Sequence, residues 1–189
     1  MMIIRKQRVI FVSCSGTGTH SMYAALGKYG GERYHSVKEH WRVIPSFAHD
    51  FIVLGLVRNP YRRAVSIWRE VRDHRPGRKP GTNSDSGFTE YARYLATKRR
   101  RRLNAHLEDQ NMVHWYAPVG VTQFLRTETL AADFAALPFV VEPIVPFPHL
   151  LIRAGSAWRS YYTPQAVKYV AQWAAPDFER FGYAKELPE

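Results

Sequence analysis

Two short stretches of the chain combine residue types that bind phosphate groups. The first is the run Ser-Cys-Ser-Gly-Thr-Gly-Thr-His-Ser over residues 13–21, which follows a short apolar segment. Small residues let the backbone approach an anion, and N–H groups at a helix start point towards it. A turn that merely packs tightly is the alternative. The predicted anion-binding residues of this loop are Gly16, Thr17, Gly18, Thr19, His20 and Ser21.

The second stretch begins at Arg58, directly after the apolar run over residues 51–57, and Ser66 lies eight positions further along. A guanidinium can form two parallel hydrogen bonds to a phosphate, and a serine hydroxyl can add another. Arg62, Ser66 and Arg69 fall on one side of the predicted helix. We therefore predict that Arg58 and Ser66 bind an anion; an Arg that caps sheet carbonyls and a solvated Ser are the alternative.

The same stretches argue against a metal-dependent nucleotide hydrolase. A P-loop needs a Lys and a hydroxyl residue directly after its last glycine, whereas Thr19 and His20 follow Gly18 here. The second apolar run ends in Arg58, where such an enzyme commonly carries a metal-binding Asp. The histidines lack zinc-ligand spacing, and Cys14 is the single cysteine. We predict no metal site.

The elements that position these stretches alternate between strand and helix. Apolar runs over residues 8–13 and 51–57 predict buried strands, and a helical pattern follows each, the second with Asn59 as cap and Pro60 as first residue. This order is typical of βαβ units, whose parallel sheets bind ligands beyond the carboxyl ends of the strands. The other predicted elements are strands over 33–37 and 119–125, helices over 89–102, 108–115, 128–137 and 164–173, and a mobile loop over about 74–87.

The charge of the chain is concentrated in one segment. The 189 residues carry 27 Lys and Arg against 16 Asp and Glu, and residues 58–102 alone hold 14 bases and 4 acids. Such a field attracts an anion, which is a phosphorylated cofactor, an acidic glycan, nucleic acid or a membrane surface. The five consecutive bases over residues 98–102 are either a solvated helix end or a contact for one of these anions.

Length, hydropathy and cysteine content limit the possible domain number and the cellular compartment. A chain of 189 residues is long enough to bury one core, and we predict a single domain over residues 1–189. No apolar stretch approaches the roughly 20 residues that span a bilayer, and the N-terminus does not read as a secretory signal. With one cysteine, no intramolecular disulfide can form, so a cytoplasmic location is predicted.

Together, these residues resemble the sulfotransferases that use 3′-phosphoadenosine 5′-phosphosulfate (PAPS). The 5′-phosphosulfate loop of that family reads Lys or Arg, Ser or Thr, Gly-Thr-x, then Ser or Thr, and residues 16–21 are similar to it. Arg58-Asn59-Pro60 followed by Ser66 looks like the family's 3′-phosphate site. The likeness to the carbohydrate-type branch continues through Asn104, His106 and Gln110, residues 124–137, and the ending Asp-Phe-Glu-Arg-Phe-Gly-Tyr over residues 177–183.

The resemblance implies a fold and an activity. The expected fold is a three-layer αβα arrangement with a central parallel sheet, similar to P-loop nucleotide hydrolases. The expected activity is transfer of the sulfuryl group of PAPS to a hydroxyl or amine, with a carbohydrate as acceptor. By resemblance, residues 16–21 hold the phosphosulfate and Arg58 with Ser66 holds the 3′-phosphate.

The resemblance also suggests the proton acceptor, and it breaks down at one position. Glu39 or His40, with His35 behind them, would take the proton of the acceptor. A solvated turn with an ordinary ion pair is the alternative.

Gly16 stands where the family has a Lys or Arg that neutralises the leaving phosphate. The candidates to replace that charge are His20, Arg153 and the bases of residues 98–102.

Two other functions stay open at this point. The glycine at position 16 suggests a non-catalytic binder of adenosine 3′,5′-bisphosphate-type nucleotides, and the basic segment suggests a nucleic-acid-binding protein. Under the main hypothesis the partner is a small-molecule or glycan acceptor, and nucleic acid is not expected. The sequence does not predict an oligomeric state.

Overall fold

The computed structural model describes residues 1–34, 43–74, 76–97, 110–150 and 156–188. Within these ranges the chain is an α/β protein with five strands and seven α-helices. The strands are β1 (Met2–Ile4), β2 (Val9–Val12), β3 (Glu32–Arg33), β4 (Ile52–Val57) and β5 (Gln123–Arg126); the helices are α1 (Thr19–Gly27), α2 (Pro60–His74), α3 (Phe88–Thr97), α4 (Met112–Tyr116), α5 (Leu130–Ala135), α6 (Pro164–Trp173) and α7 (Ala175–Phe181). No helix of the described ranges is long and apolar enough to cross a membrane.

The strands form one mixed sheet in the order β3-β1-β2-β4-β5. β2 pairs with β4 and β4 with β5 in parallel, whereas β1 is antiparallel to both of its neighbours. Four strands therefore run in one direction and β1 runs in the other. All residues of β2 are at most 1% exposed, so both faces of the sheet are covered there. This sheet is compatible with a three-layer αβα fold.

β1 corrects the prediction of a parallel sheet. It is a three-residue strand that turns back into β2 within four residues, and Arg8 takes a left-handed φ of 55° at the end of that turn. A strand this short shows no periodicity in sequence, so it was missed. The predicted parallel pairing is confirmed for β2, β4 and β5, the strands that carry the candidate site.

The described residues group into two compact units. The first comprises Met1–Arg58 and His114–Leu151 and contains the whole sheet together with α1 and α5. Its core lies between one face of the sheet and these two helices. The main contributors are Val9, Phe11, Met22, Leu26, Leu54, Leu56, Leu125, Leu130 and Phe134.

The second unit comprises Asn59–Val113 and Ile152–Glu189 and is helical. α2 starts as predicted: the side-chain oxygen of Asn59 accepts the backbone N–H of Tyr61 at 3.0 Å, and Pro60 is the first helical residue. The predicted single domain over residues 1–189 stays a prediction. The core of the second unit is largely aromatic and includes Tyr61, Trp68, Phe88, Tyr91, Trp158, Trp173 and Phe178.

The loop between α2 and α3 belongs to the second unit and is anchored to α2. The indole N–H of Trp68 donates to the carbonyl of Gly81 at 2.7 Å, and Thr82 is fully buried. A Cβ at Gly81 would lie 2.0 Å from the carbonyl oxygen of Gly87, so the loop closes on itself with no room for a side chain. The mobility predicted for residues 74–87 stays a prediction. The bond to Trp68 and the burial of Thr82 limit how far the loop can move away from α2.

Candidate functional site

The predicted anion-binding residues of the first unit lie at the carboxyl edge of the sheet. β2 and β4 are parallel neighbours, with Val12 opposite Gly55, and β4 and β5 pair Val57 with Arg126. The loop after β2, Arg58 after β4 and Thr127 after β5 therefore leave the sheet at the same edge. This is the edge at which parallel α/β sheets bind ligands.

Two glycines shape the loop between β2 and α1. Gly16 and Gly18 have φ angles of 80° and 93°, in the left-handed region that glycine adopts without a Cβ penalty. Gly18 is also the cap residue of α1, and no side chain caps the helix there. The first N–H groups of a helix have no partner within the helix and carry its positive dipole end. The loop and helix start therefore have the backbone form of an anion site.

The hydroxyl groups of the loop are mostly engaged within the protein. Thr17 is buried and its hydroxyl donates to the carbonyl of Cys14 at 2.7 Å, while Ser13 and Thr19 share a hydrogen bond of 2.8 Å. The hydroxyl of Ser21 accepts the backbone N–H of Leu150 at 3.0 Å. These bonds hold the shape of the loop. What the loop offers a ligand is accordingly its backbone N–H groups more than its side chains.

Arg58 contacts the loop directly. Its guanidinium nitrogen Nη1 donates to the carbonyl of Gly16 at 2.9 Å, and the side chain is half-buried. The structure thus brings together two of the predicted sites, and it places a positive charge beside the glycine that stands where a base was expected. A guanidinium has five N–H donors, so Arg58 can bond the loop and an anion together.

Thr127 holds the loop against the sheet. Its hydroxyl lies 2.6 Å from the carbonyl of Thr17 and 2.9 Å from that of Val57, within donating distance of both. Thr127 was not predicted as a site residue. Its only signal in the sequence is its place in residues 124–137, a stretch that resembles the carbohydrate-type branch.

Tyr116 supports the other end of the loop and was also missed. Its phenol oxygen accepts the backbone N–H of Cys14 at 3.3 Å and donates to the carbonyl of Leu56 at 2.6 Å. Burial, followed by the nearby Cys14 thiol, raises the pKa of Tyr116 well above its ordinary value. A neutral phenol therefore bridges the ends of β2 and β4.

Ser66 lies in α2, in the second unit. It is partly exposed together with Arg62 and Arg69, while Ala64, Val65 and Trp68 are buried, so the predicted division of this helix into two sides is confirmed. Arg63 is fully buried and its guanidinium stacks on the ring of Trp173, at 5.3 Å. The joint binding of one phosphate by Arg58 and Ser66 stays a prediction.

The predicted acid–base residues lie outside the described residues. These are Glu39 and His40, and the same holds for His35, Arg153 and residues 98–102, so their roles stay predictions. His20 is described and is exposed at the start of α1. Among the described residues, no group of three His, Cys, Asp or Glu side chains could hold a metal ion.

The C-terminal stretch that resembles the sulfotransferases has a structural role here. Asp177 is fully buried, and its carboxylate accepts the backbone N–H groups of Met112 and Val113 at 2.9 and 2.8 Å. It thereby caps the start of α4. Phe178 lies in the core of the second unit, and Gly182 ends α7 in the left-handed conformation.

Comparison with known proteins found no relative: no family model, curated protein or solved structure gives a significant match.

Proposed function

We propose that the protein is a sulfotransferase that moves the sulfuryl group of PAPS to a hydroxyl or amine of an acceptor, with a carbohydrate as the expected acceptor class. The observation that supports this most is the hydrogen bond from Arg58 to Gly16. It joins a glycine loop, a helix start and a guanidinium at the ligand-binding edge of a parallel sheet. The sulfotransferase variant of the P-loop-like fold is part of the same proposal.

The geometry fits a nucleotide with an anionic 5′ group. Gly16 and Gly18 present backbone without a Cβ at the loop, and the start of α1 contributes N–H groups to the same place. PAPS, when bound, supplies the activated sulfuryl group and a phosphate as leaving group. Arg58 would stabilise the charge that develops on that phosphate, which is the task of the family's loop base.

This location gives Arg58 a role different from the one that the resemblance implies. By resemblance it binds the 3′-phosphate with Ser66, whereas its bond to Gly16 favours a position beside the 5′-phosphosulfate. A guanidinium at this position supports catalysis over mere binding, because it offsets the base missing at position 16. Arg58 is therefore our first candidate for that charge, ahead of His20, Arg153 and residues 98–102.

The remaining steps fall to residues proposed from the sequence. Glu39 or His40 accepts the proton of the attacking hydroxyl or amine, and Ser66 contributes a hydroxyl to the 3′-phosphate. The arrangement needs no acidic metal cluster, because sulfuryl transfer is served by positioning and by positive charge at the leaving oxygen.

Labelled PAPS, incubated with the purified protein and a panel of glycans and small hydroxyl or amine compounds, tests the proposal. We expect labelled product on at least one carbohydrate, and slower turnover with unchanged nucleotide binding in Glu39→Gln or His40→Ala. Binding of PAPS without product on any acceptor would instead support a non-catalytic nucleotide binder. Failure of PAPS to raise the Tm, with tight RNA or DNA binding at physiological salt, would support a nucleic-acid-binding protein.

A further inference from the structure

A second surface of the first unit lies at the opposite edge of the sheet from the candidate site. β2 begins at Val9 and β4 begins at Ile52, and the turn before β2 lies beside the short 3₁₀ helix Ser46–Ala48 and its flanking residues. We call the surface formed there the aromatic–arginine patch. It consists of Arg5, Lys6, Arg8, Tyr34, Val43, Phe47, Phe51 and Ile52.

Three aromatic rings form the centre of this patch. The ring of Phe47 lies 6.3 Å from that of Tyr34 and 6.2 Å from that of Phe51, measured between centroids. Phe47 is nevertheless 47% exposed. Ile52, which follows Phe51 in the chain, is 39% exposed, and Val43, four residues before Phe47, is 63% exposed. Apolar side chains are therefore presented to solvent together rather than singly.

Guanidinium groups lie over two of these rings. The Arg5 guanidinium is 4.9 Å from the centroid of Phe47, and that of Arg8 is 5.6 Å from the centroid of Phe51. Lys6 is exposed between them in the turn, and Arg8 also pairs with Asp50. The patch contains three bases, and Asp50 beside it offsets only one of them, so exposed apolar groups are combined with net positive charge.

We propose that this patch binds the surface of an anionic lipid bilayer. Exposed Phe, Val and Ile side chains can enter the boundary between headgroups and acyl chains, while Arg and Lys bind lipid phosphates and carboxylates. The loop at Gly16 leaves the sheet at the other edge, so a protein held by this patch keeps its candidate site away from the lipid. The inference does not depend on the proposed sulfotransferase activity.

Two other classes of partner fit the patch less well. Nucleic-acid bases stack on open aromatic faces, but one face of Phe47 and one of Phe51 are covered by guanidinium groups, and aliphatic side chains make up part of the surface. A stable protein interface needs roughly 20–30 residues on each side, far more than the patch contains. Two copies of the chain would bring like charges together at this surface.

Vesicle flotation tests the inference with vesicles of phosphatidylcholine alone or mixed with phosphatidylserine. We expect the full chain to float with the mixed vesicles and not with phosphatidylcholine alone. Phe47→Ser should weaken the partition coefficient about tenfold, and Arg5→Gln with Lys6→Gln should weaken it about fivefold per base. Arg5 and Lys6 are exposed and Phe47 is half-exposed, so all of these variants should remain folded at the temperature of the assay, as the Tm measures.

The controls separate a defined patch from the general positive charge of the chain. Lys28→Gln with Arg93→Gln removes two exposed bases elsewhere, and Val145→Ser removes an apolar side chain that is 86% exposed outside the patch. Both variants should bind vesicles like the wild type. Equal losses in the control and patch variants, or no dependence on phosphatidylserine, would overturn the inference. So would a labelled single-stranded RNA that binds through Phe47 while the vesicles do not.

Discussion

The guanidinium of Arg58 donates a hydrogen bond of 2.9 Å to the backbone carbonyl of Gly16, across 42 positions of the chain. The contact exists because β2 and β4 are parallel neighbours, so the residues that follow them meet at one edge of the sheet. The contact bears on Gly16, the position at which the sulfotransferase loop has a Lys or Arg. The loop itself carries no base there, but a base from the next strand reaches it.

Arg58→Ala distinguishes the two possible roles of this guanidinium. We expect the affinities for adenosine 3′,5′-bisphosphate and for adenosine 5′-phosphate to fall by a similar factor, because both nucleotides carry the phosphate that the loop would bind. A charged hydrogen bond contributes about 2 kcal/mol, which corresponds to about thirtyfold. Isothermal titration calorimetry with each nucleotide measures this.

Arg93→Ala, an exposed residue of α3, is the matched control and should leave both affinities unchanged. If only the affinity for adenosine 3′,5′-bisphosphate fell, Arg58 would be assigned to the 3′-phosphate, as the resemblance implies. Unchanged binding of both nucleotides by Arg58→Ala would remove Arg58 from the site altogether.

Gly18→Ala tests the backbone conformation of the loop. With φ at 93°, an alanine is strained there, although its Cβ would meet only Thr127 at an ordinary 3.5 Å. Gly30→Ala is a close control, since Gly30 has φ at 75° and open space around it at the far end of α1. Each change should cost about 1 kcal/mol of the free energy of unfolding. Only Gly18→Ala should weaken nucleotide binding several-fold, as measured by calorimetry; equal binding by both variants would contradict the loop assignment.

The parts of the fold with clear end signals are predictable from the sequence. α6 spans the predicted residues 164–173, where Thr163 accepts an N-terminal N–H and proline occupies the first helical position. α7 was missed, because it begins directly after α6 and is too short to show a periodicity of its own. β5 starts four residues later than predicted, since Gly120 takes a left-handed φ of 68° and interrupts the extended run.

The candidate site also has a part that the sequence predicts and a part that it does not. That the loop after β2 and Arg58 share an edge follows from two parallel strands, which the apolar runs predict. The supporting roles of Thr127 and Tyr116 depend on hydrogen bonds over 110 and 102 positions of the chain. Such contacts arise only from the tertiary structure and leave no local pattern. The same holds for Asp177, whose helix-capping role needs α4 and α7 to be packed together.

Tyr116 should make the protein sensitive to alkaline pH. Its pKa is raised in the folded state, chiefly by burial, so its stabilising contribution is present below the ordinary value of 10.0 and is lost as the pH rises above it. Burial raises the pKa of Tyr162 in the same direction, so the wild type should lose stability steeply above pH 10. Denaturant unfolding at a series of pH values from 7 to 11 follows this loss.

Tyr116→Phe should show a shallower alkaline loss, because one of the phenols with a raised pKa is gone. At neutral pH it should cost about 1–3 kcal/mol, since the N–H of Cys14 and both backbone groups of Leu56 lose a partner. An alkaline profile identical in shape to that of the wild type would show that Tyr116 ionises without a penalty, against the buried geometry.

Asp177→Ala tests whether the C-terminal ending that resembles the sulfotransferases serves the fold or the chemistry. The variant leaves the N–H groups of Met112 and Val113 without their carboxylate, and we expect a loss of about 2–3 kcal/mol in the free energy of unfolding. Glu179→Ala, an exposed change in the same helix, should cost less than about 0.5 kcal/mol. Below its lowered Tm, Asp177→Ala should bind adenosine 3′,5′-bisphosphate like the wild type, because capping the start of α4 is a structural role. An unchanged Tm together with lost nucleotide binding would contradict this and make Asp177 part of the ligand site.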